Sequence, residues 1–319
     1  MIINPYITFL FASIILVLGS ELLISNSKSI AEKFNISKFV IGITILAFGT
    51  SLPELVVSIS AMFNVPPEGN VVIGNVVGSN IANISLVLAT ITIINPIKLN
   101  MNNKLYFNLL TMFFITLLFI LFIRYYNIGL VRVEGYILLI SLLLYLYILF
   151  SKFSREAIID GYKTKHKQYF LTLILLAVGF VLLKYGSDLF VSSSLIIAEK
   201  LGFKTIAISM TLVALGTSLP ELITSLVAVY KNEKALAIGN IVGSNIINIS
   251  LVASISSIIS DIDINYLKIN NHIIILFFLT ASIIIFSIFF RKIGRIIGVI
   301  YLFIYLYFIM INFIKMPLL

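Results

Sequence analysis

The chain contains the same sequence pattern twice. Residues 19–58 align with residues 186–225 at a constant offset of 167, and twenty of the forty aligned positions are identical. A second segment, IGNVVGSNIANIS at 73–85, recurs as IGNIVGSNIINIS at 238–250, with eleven identities in thirteen positions. Self-similarity of this kind indicates a duplicated structural unit, so the two halves are predicted to fold alike.

The solvent of this chain must be a lipid bilayer. Of its 319 residues, 60% are hydrophobic and only 11% are charged, whereas a soluble domain carries about 25% charged residues. This composition excludes a water-soluble enzyme, and the absence of cysteine with only two histidines argues against thiol catalysis and zinc centres. The net charge of +9 comes from basic residues placed singly between apolar runs. Such residues more plausibly set the orientation of membrane spans than bind nucleic acid.

Ten apolar runs have the length of about 20 residues that a spanning helix needs. We therefore predict an all-α membrane protein, and we expect the first run to be a retained helix because no basic residue precedes it and no cleavage site follows it. The predicted spans lie near 5–24, 38–64, 71–96, 105–123, 129–150, 168–191, 205–230, 235–259, 270–290 and 295–314.

The distribution of basic residues predicts the orientation of these spans. With the N-terminus outside, fifteen lysines and arginines fall in cytoplasmic loops and six in outer loops, so both termini of this multi-pass protein are predicted outside the plasma membrane. The predicted units are a first five-helix repeat (1–150), a polar cytoplasmic connector (151–167) and a second repeat (168–319). Because five is odd, equivalent spans would cross in opposite directions, and inverted repeats are typical of transporters with a substrate site near the midplane.

The motif GTSLPE occurs in both halves and places Glu54 and Glu221 inside apolar spans. The preceding prolines, Pro53 and Pro220, lack an N–H and clash with the carbonyl four residues earlier, so both helices are predicted to kink there and to free backbone carbonyls. A carboxylate within a bilayer is costly, which makes each glutamate a candidate functional residue.

The second repeated motif supplies small residues and neutral oxygen atoms. Carboxylate, amide, hydroxyl and carbonyl oxygens without soft ligands suit a hard cation such as Ca²⁺ or Na⁺, and two glutamates balance one divalent charge. Neither motif contains lysine or arginine, so an anionic substrate is not expected. Helix–helix packing is an equally good interpretation for Asn80 and Asn245. The polar positions are Asn75, Ser79, Asn80 and Asn83, repeated as Asn240, Ser244, Asn245 and Asn248.

The paired GTSLPE and GSNI-x-NI motifs resemble the two alpha repeats of the Ca²⁺/cation antiporter superfamily, which includes the prokaryotic sodium/calcium exchangers. The resemblance covers nearly the whole chain and implies that family's fold of ten helices in two inverted halves. It also implies that Glu54 and Glu221 bind the transported ions in the middle of spans 2, 3, 7 and 8. The other oxygen ligands that it implies are Ala47, Thr50, Ser51, Ser79 and Asn83, with Ala214, Thr217, Ser218, Ser244 and Asn248.

The function implied by the resemblance is exchange of Ca²⁺ for Na⁺ by alternating access, with spans 1 and 6 sliding past the other helices. Neither a catalytic residue, a cofactor nor an obligate protein partner is expected. Asn248 stands where potassium-dependent members carry Asp, which argues against a K⁺ requirement. Two alternatives stay open from the residues alone: a Ca²⁺/H⁺ antiporter that uses the same glutamates, and a passive cation channel.

Overall fold

The structure is a computed structural model that describes residues 4–98, 102–126, 129–153, 169–200, 205–264 and 266–314. Within these ranges, the side chains of 126, 169, 198, 205–215, 266–268 and 312–314 lie outside the description. The predicted connector at 151–167 is described only as far as residue 153.

Helices make up nearly all of the described chain. Helices α1 to α14 are Pro5–Phe34, Lys38–Ile41, Ala47–Thr50, Leu52–Phe63, Gly69–Ala82, Ala89–Ile94, Asn103–Tyr126, Arg132–Ile148, Tyr169–Lys200, Thr205–Tyr230, Lys234–Ile247, Ser254–Ile259, Tyr266–Phe290 and Arg295–Ile314. π-Helical segments continue some of them at Gly42–Leu46, Asn83–Leu88, Leu149–Phe153 and Asn248–Ala253. Four two-residue strands, β1 to β4, are Ile97–Lys98, Gly129–Leu130, Ile262–Asp263 and Lys292–Ile293.

Several of these helices can cross a bilayer. Among the described residues, seven helices are long and apolar enough to span alone, and one bent helix pair makes an eighth. Helix α1 extends ten residues beyond the predicted span 5–24, because its polar second part is also packed: Ser27 is fully buried, and Ile30 and Ala31 are buried beside it in sequence. The helix ends where Asn35 adopts a left-handed conformation and its N–H caps the Ala31 carbonyl.

Helices α1 and α9 occupy equivalent positions in the two halves and pack against each other in opposite directions. A Cβ atom added to Gly19 would lie 3.0 Å from the Gly179 carbonyl oxygen, and one added to Gly186 would lie 3.1 Å from the Leu16 backbone nitrogen. The residue numbers along α1 fall as those along α9 rise, so the pair is antiparallel. The glycines let the two backbones approach closely.

The short strands join the halves at two ends of the molecule. Strand β1 pairs with β4 and strand β2 pairs with β3, both antiparallel. Strands β1 and β3 are equivalent in the repeat, but they lie at opposite ends of the span Gly69–Ile94. Strand β1 follows the C-terminal end of this span, whereas the Asp263 carbonyl of β3 lies against Gly69 at its N-terminal end. The 26-residue span separates these ends by roughly 39 Å.

Basic side chains hold the loops together at the β1–β4 end. Lys234 Nζ donates to Asn95 Oδ1 at 2.8 Å, and Arg295 Nε donates to the Ile93 carbonyl at 3.0 Å. All of these loops belong to the predicted cytoplasmic set. The loops at this end of the molecule are therefore loops that the distribution of basic residues predicts on one side of the membrane.

A cluster of ion pairs at the same end ties α1 to the loop before α11. Glu233 accepts hydrogen bonds from Lys38 at 2.9 Å and lies 3.0 Å from Lys28 Nζ. Partial burial alone would raise the pKa of Glu233, but the hydrogen bonds and charges of Lys38 and Lys28 outweigh it, so the pKa lies below its ordinary value.

Replacing Glu233 by glutamine should destabilise the protein at neutral pH by at most about 1 kcal/mol, because the lysines remain partly exposed. A depressed carboxyl pKa contributes stability above the ordinary value of about 4.3 and loses it as the pH falls through the lower, folded-state pKa. Thermal unfolding in detergent from pH 3 to pH 8 checks this. Glu68→Gln, the repeat counterpart, is the control, and an equal effect of both variants at neutral pH would contradict the assignment.

Glycines also bring α11 against the segment Lys38–Leu46. A Cβ atom on Gly239 would lie 2.4 Å from the Phe39 carbonyl oxygen, and one on Gly243 would lie 2.4 Å from the Ile43 carbonyl oxygen. Real Cβ atoms do not approach backbone this closely, so only glycine permits the contact. This packing sets the distance between the two repeated motifs of opposite halves.

Gly239→Ala should lower stability by about 1–3 kcal/mol, because the added methyl group meets a backbone carbonyl that cannot rotate away. Gly294→Ala is the matched control, since a Cβ there meets no described atom within 4 Å. Melting temperatures of the two purified variants decide the matter: equal melting temperatures would show that the backbones are not in this close contact.

Candidate cation site

The two GTSLPE motifs differ in how their helices pass the proline. In the first half the helix breaks at Ser51, where Lys38–Thr50 and Leu52–Phe63 meet at 43°, and the predicted kink is confirmed. In the second half α10 continues through Pro220 as one helix. The Gly216 carbonyl, which Pro220 cannot bond, instead accepts a 2.7 Å hydrogen bond from Ser187 of α9.

Glu54 and Glu221 are both fully buried and each accepts hydrogen bonds from serine hydroxyls. Ser79 donates to Glu54 Oε1 at 3.3 Å. Its repeat counterpart, Ser244, donates to Glu221 Oε1 at 3.5 Å, and Ser51 donates to the same oxygen at 3.3 Å. The hydrogen bond from Ser51 crosses from the first half to the second.

Two threonines close the site across the halves in the same way. Thr50 Oγ1 lies 3.5 Å from Ser244 Oγ, and its counterpart Thr217 Oγ1 lies 3.5 Å from Ser79 Oγ. Each hydroxyl pair therefore joins the GTSLPE motif of one half to the GSNI motif of the other. Neither half builds this network alone.

The negative charge of the site has no protein counterion within the described residues. No lysine, arginine or histidine of the described part lies within ion-pair distance of Glu54 or Glu221, and the Oε2 atom of each has no hydrogen-bond partner there. Burying an unpaired carboxylate costs many kcal/mol, so the pair requires bound cations or protons.

Three further candidate ligands are buried with polar atoms that have no described partner. Asn83 and Asn248 are fully buried, and the Oδ1 atom of each lacks a described partner, as does the hydroxyl of Ser218. Each asparagine begins a π-helical segment, Asn83–Leu88 or Asn248–Ala253. Such segments often occur at functional sites. The described residues contain no group of three acidic, histidine or cysteine side chains, so a Ca²⁺ ion here would complete its shell with neutral oxygens.

Asparagines outside the ligand set hold the helices in register. Asn80 donates to the Asn245 carbonyl at 3.0 Å and accepts from Asn248 Nδ2 at 3.1 Å, whereas Asn245 donates only to its own helix, at the Ile241 carbonyl. The packing interpretation therefore describes Asn80, which bridges α5 and α11. The amide also fixes the orientation of Asn248.

A second asparagine pair fixes the glutamate helices, with partners that sequence reasoning missed. Asn75 donates to the Glu54 carbonyl and to Ser58 Oγ, both at 2.9 Å. The counterpart, Asn240, donates to Ser225 Oγ at 3.3 Å. Ser58 and Ser225 are identical positions at the end of the aligned stretch 19–58, and that identity was the signal that could have identified them.

The structure brings most of the candidate ligands together. Hydrogen bonds connect seven of them in two clusters, one at each glutamate. Three others are buried with unpaired polar atoms, the Ala47 carbonyl accepts from Thr50, and the side chain of Ala214 is not among the described ones. The connected residues are Glu54, Glu221, Thr50, Ser51, Ser79, Thr217 and Ser244; the three others are Asn83, Asn248 and Ser218.

Known proteins share this sequence over most of its length. The profile of the family described as sodium/calcium exchanger protein matches residues 4–151 and 171–314. An uncharacterized membrane protein of Methanocaldococcus jannaschii is 36% identical over 93% of this chain and 94% of its own. The sodium/calcium exchanger MaX1 of Methanosarcina acetivorans is 29% identical over 81% of this chain and 84% of its own.

Solved structures agree with the described fold. The sodium-calcium exchanger NCX_Mj, soaked with Na⁺ and Sr²⁺, superposes with a TM-score of 0.83 at 33% identity, covering 97% of this chain and 99% of that one. The same exchanger soaked without Na⁺ and Ca²⁺ gives a TM-score of 0.84 at 32% identity, with the same coverage.

Asn80→Ala should lower stability by about 1–3 kcal/mol, because it leaves the Asn248 amide and the Asn245 carbonyl without their partner inside the protein. Asn245→Ala is the symmetry-matched control and should cost less, since Asn245 bonds only its own helix. Thermal unfolding of both variants tests the difference, and a greater loss in Asn245→Ala would refute the bridging role of Asn80.

Proposed function

The chain belongs to the sodium/calcium exchanger protein family, and from that premise we propose that it is a secondary antiporter that exchanges Ca²⁺ for Na⁺ by alternating access. The observation that carries the proposal is the pair of buried glutamates, Glu54 and Glu221, which have no described protein counterion and accept hydrogen bonds from serine hydroxyls. Hard cations are the partners that such oxygens prefer. The protein needs no cofactor for this exchange and is a transporter rather than an enzyme.

The proposed ligands come from both halves. Glu54 and Glu221 supply the charge, and carbonyl, hydroxyl and amide oxygens complete the shell. This set is Ala47, Thr50, Ser51, Ser79 and Asn83 with Ala214, Thr217, Ser218, Ser244 and Asn248. The neutral Asn248 argues against a K⁺ requirement, because it adds no third negative charge to the site.

Exchange follows from competition for the same two carboxylates. A bound Ca²⁺ balances both charges, and Na⁺ ions that occupy the same oxygens exclude it. An empty site leaves two carboxylates that repel each other in a medium of low dielectric constant. The occluded state that separates the two access states is therefore unfavourable when the site is empty. The protein changes access only with ions bound, and this couples the outward movement of one ion to the inward movement of the other.

Many alternating-access transporters are built from two halves of opposite orientation, and we infer ten spans in two inverted repeats, 1–150 and 168–319. The antiparallel pair α1–α9 and the location of β1 and β3 at opposite ends of one span support the inversion. The gathering of Lys38, Lys234 and Arg295 at one end supports a cytoplasmic assignment for that end. Both termini would then face outward from the plasma membrane.

The test is Ca²⁺ uptake into proteoliposomes that are loaded with Na⁺ and diluted into Na⁺-free buffer. We expect uptake that depends on internal Na⁺. Glu54→Gln and Glu221→Gln should reduce it by at least about tenfold, because each removes a charged ligand. Glu68→Gln, an exposed glutamate in a loop, is the matched control and should transport normally.

Other outcomes identify the alternatives. Uptake driven only by a pH gradient would assign the protein to Ca²⁺/H⁺ exchange, and flux without any counter-ion would indicate a channel. Normal exchange in both glutamine variants would refute the site itself.

A further inference from the structure

The two halves use the same serine differently. Ser20 of α1 and Ser187 of α9 are equivalent positions in the GS pairs at 19–20 and 186–187. Ser187 donates to the Gly216 carbonyl, but the fully buried Ser20 hydroxyl has no partner among the described residues. The buried Ser193 of α9 bonds a carbonyl of its own helix. Ser20 lacks such a bond, as does Ser27 on the same helix, and a buried hydroxyl without a partner is costly.

The carbonyl that Ser20 could satisfy is known from the repeat. Gly49 precedes Pro53 by four residues, as Gly216 precedes Pro220, so no backbone N–H of its own helix bonds its carbonyl in the α-helical pattern. In this structure Phe180 of α9 covers Gly49, since a Cβ added to Gly49 would lie 1.8 Å from the Phe180 ring. In this structure the helix that packs on Gly49 is therefore α9.

A second pair of equivalent serines also differs, at the carboxylates. Ser51 of the first half donates to Glu221, whereas its counterpart Ser218 has no described partner. In both pairs the bonded serine donates to an acceptor of the second half, Gly216 or Glu221, although the two halves are identical at these positions. Because the residues are identical, either half has the groups needed for either arrangement, which suits a protein with two access states.

We propose that Ser20 and Ser187 are positioning residues that act in turn: in each access state one of them donates to the carbonyl freed by the proline of its own half, Gly49 or Gly216. This inference rests on the proposed antiport. Because α1 and α9 form one antiparallel pair with glycine contacts, a shift of the pair along its length withdraws Ser187 from Gly216 and advances Ser20 toward Gly49. The two serines then orient, alternately, the backbone next to Thr50 and Thr217.

The experiment measures the balance between the two states. The chain contains no cysteine, so Val181→Cys on α9 and Tyr230→Cys at the end of α10 carry spin labels at two exposed positions without background. Their distance distribution in nanodiscs reports movement of α9 along α10, and the population at the distance of this structure is compared among variants.

Ser187→Ala should lower the ratio of this state to the alternative by about threefold, the factor that an average interhelical hydrogen bond within a membrane represents. Ser20→Ala should raise the ratio by about the same factor, because it removes the bond of the other state. Ser187→Thr keeps the hydroxyl and should restore the wild-type ratio. Ser193→Ala, on the same helix as Ser187, should leave the ratio unchanged.

Opposite shifts in the two alanine variants support the proposal, whereas shifts in the same direction, or a single distance that no variant alters, overturn it. The outcome is separable from that of the transport assay. Wild-type protein that fails to exchange Na⁺ for Ca²⁺ would refute the proposed function, and wild-type exchange with unresponsive distances would refute only the alternation of the serines.

Discussion

Two negative charges buried without a described protein counterion are the constraint on which the rest of the structure depends. Glu54 and Glu221 tolerate this burial only with bound cations or protons. The hydroxyl pairs of Thr50 with Ser244 and of Thr217 with Ser79 join oxygen atoms of opposite halves beside them.

Close backbone contact makes this arrangement possible. The polar side chains are short, so they meet only if the backbones of their helices are in close contact. Helix α11 makes such a contact with the segment Lys38–Leu46 at Gly239 and Gly243. Longer side chains at these positions would separate the two motifs and leave the serine hydroxyls out of reach of the carboxylates. The hydrogen bonds to the buried carboxylates thus depend on the small residues at the helix contacts.

The sequence was sufficient to predict the membrane environment, the pairing of the motifs and the two glutamates, because repetition and apolar length are local properties. It was insufficient for features that depend on how helices face each other. The second part of α1 was missed because Ser27 is polar but packed, and the hydroxyl partners Ser58 and Ser225 depend on helix rotation. The different course of the two helices at Pro53 and Pro220 could not be predicted, because the motifs are nearly identical and the Ser187 hydroxyl that bonds the Gly216 carbonyl lies on another helix.

The two short strand ladders have a consequence for the integrity of the molecule. Each ladder takes one strand from each half, so β1–β4 and β2–β3 form only when both halves are present. A half by itself would expose the edges of its two strands and would lack the hydroxyl partners that the other half supplies. The two halves are accordingly expected to fold as one unit. They resemble the subunits of a dimer, except that the chain links them covalently and they cannot dissociate.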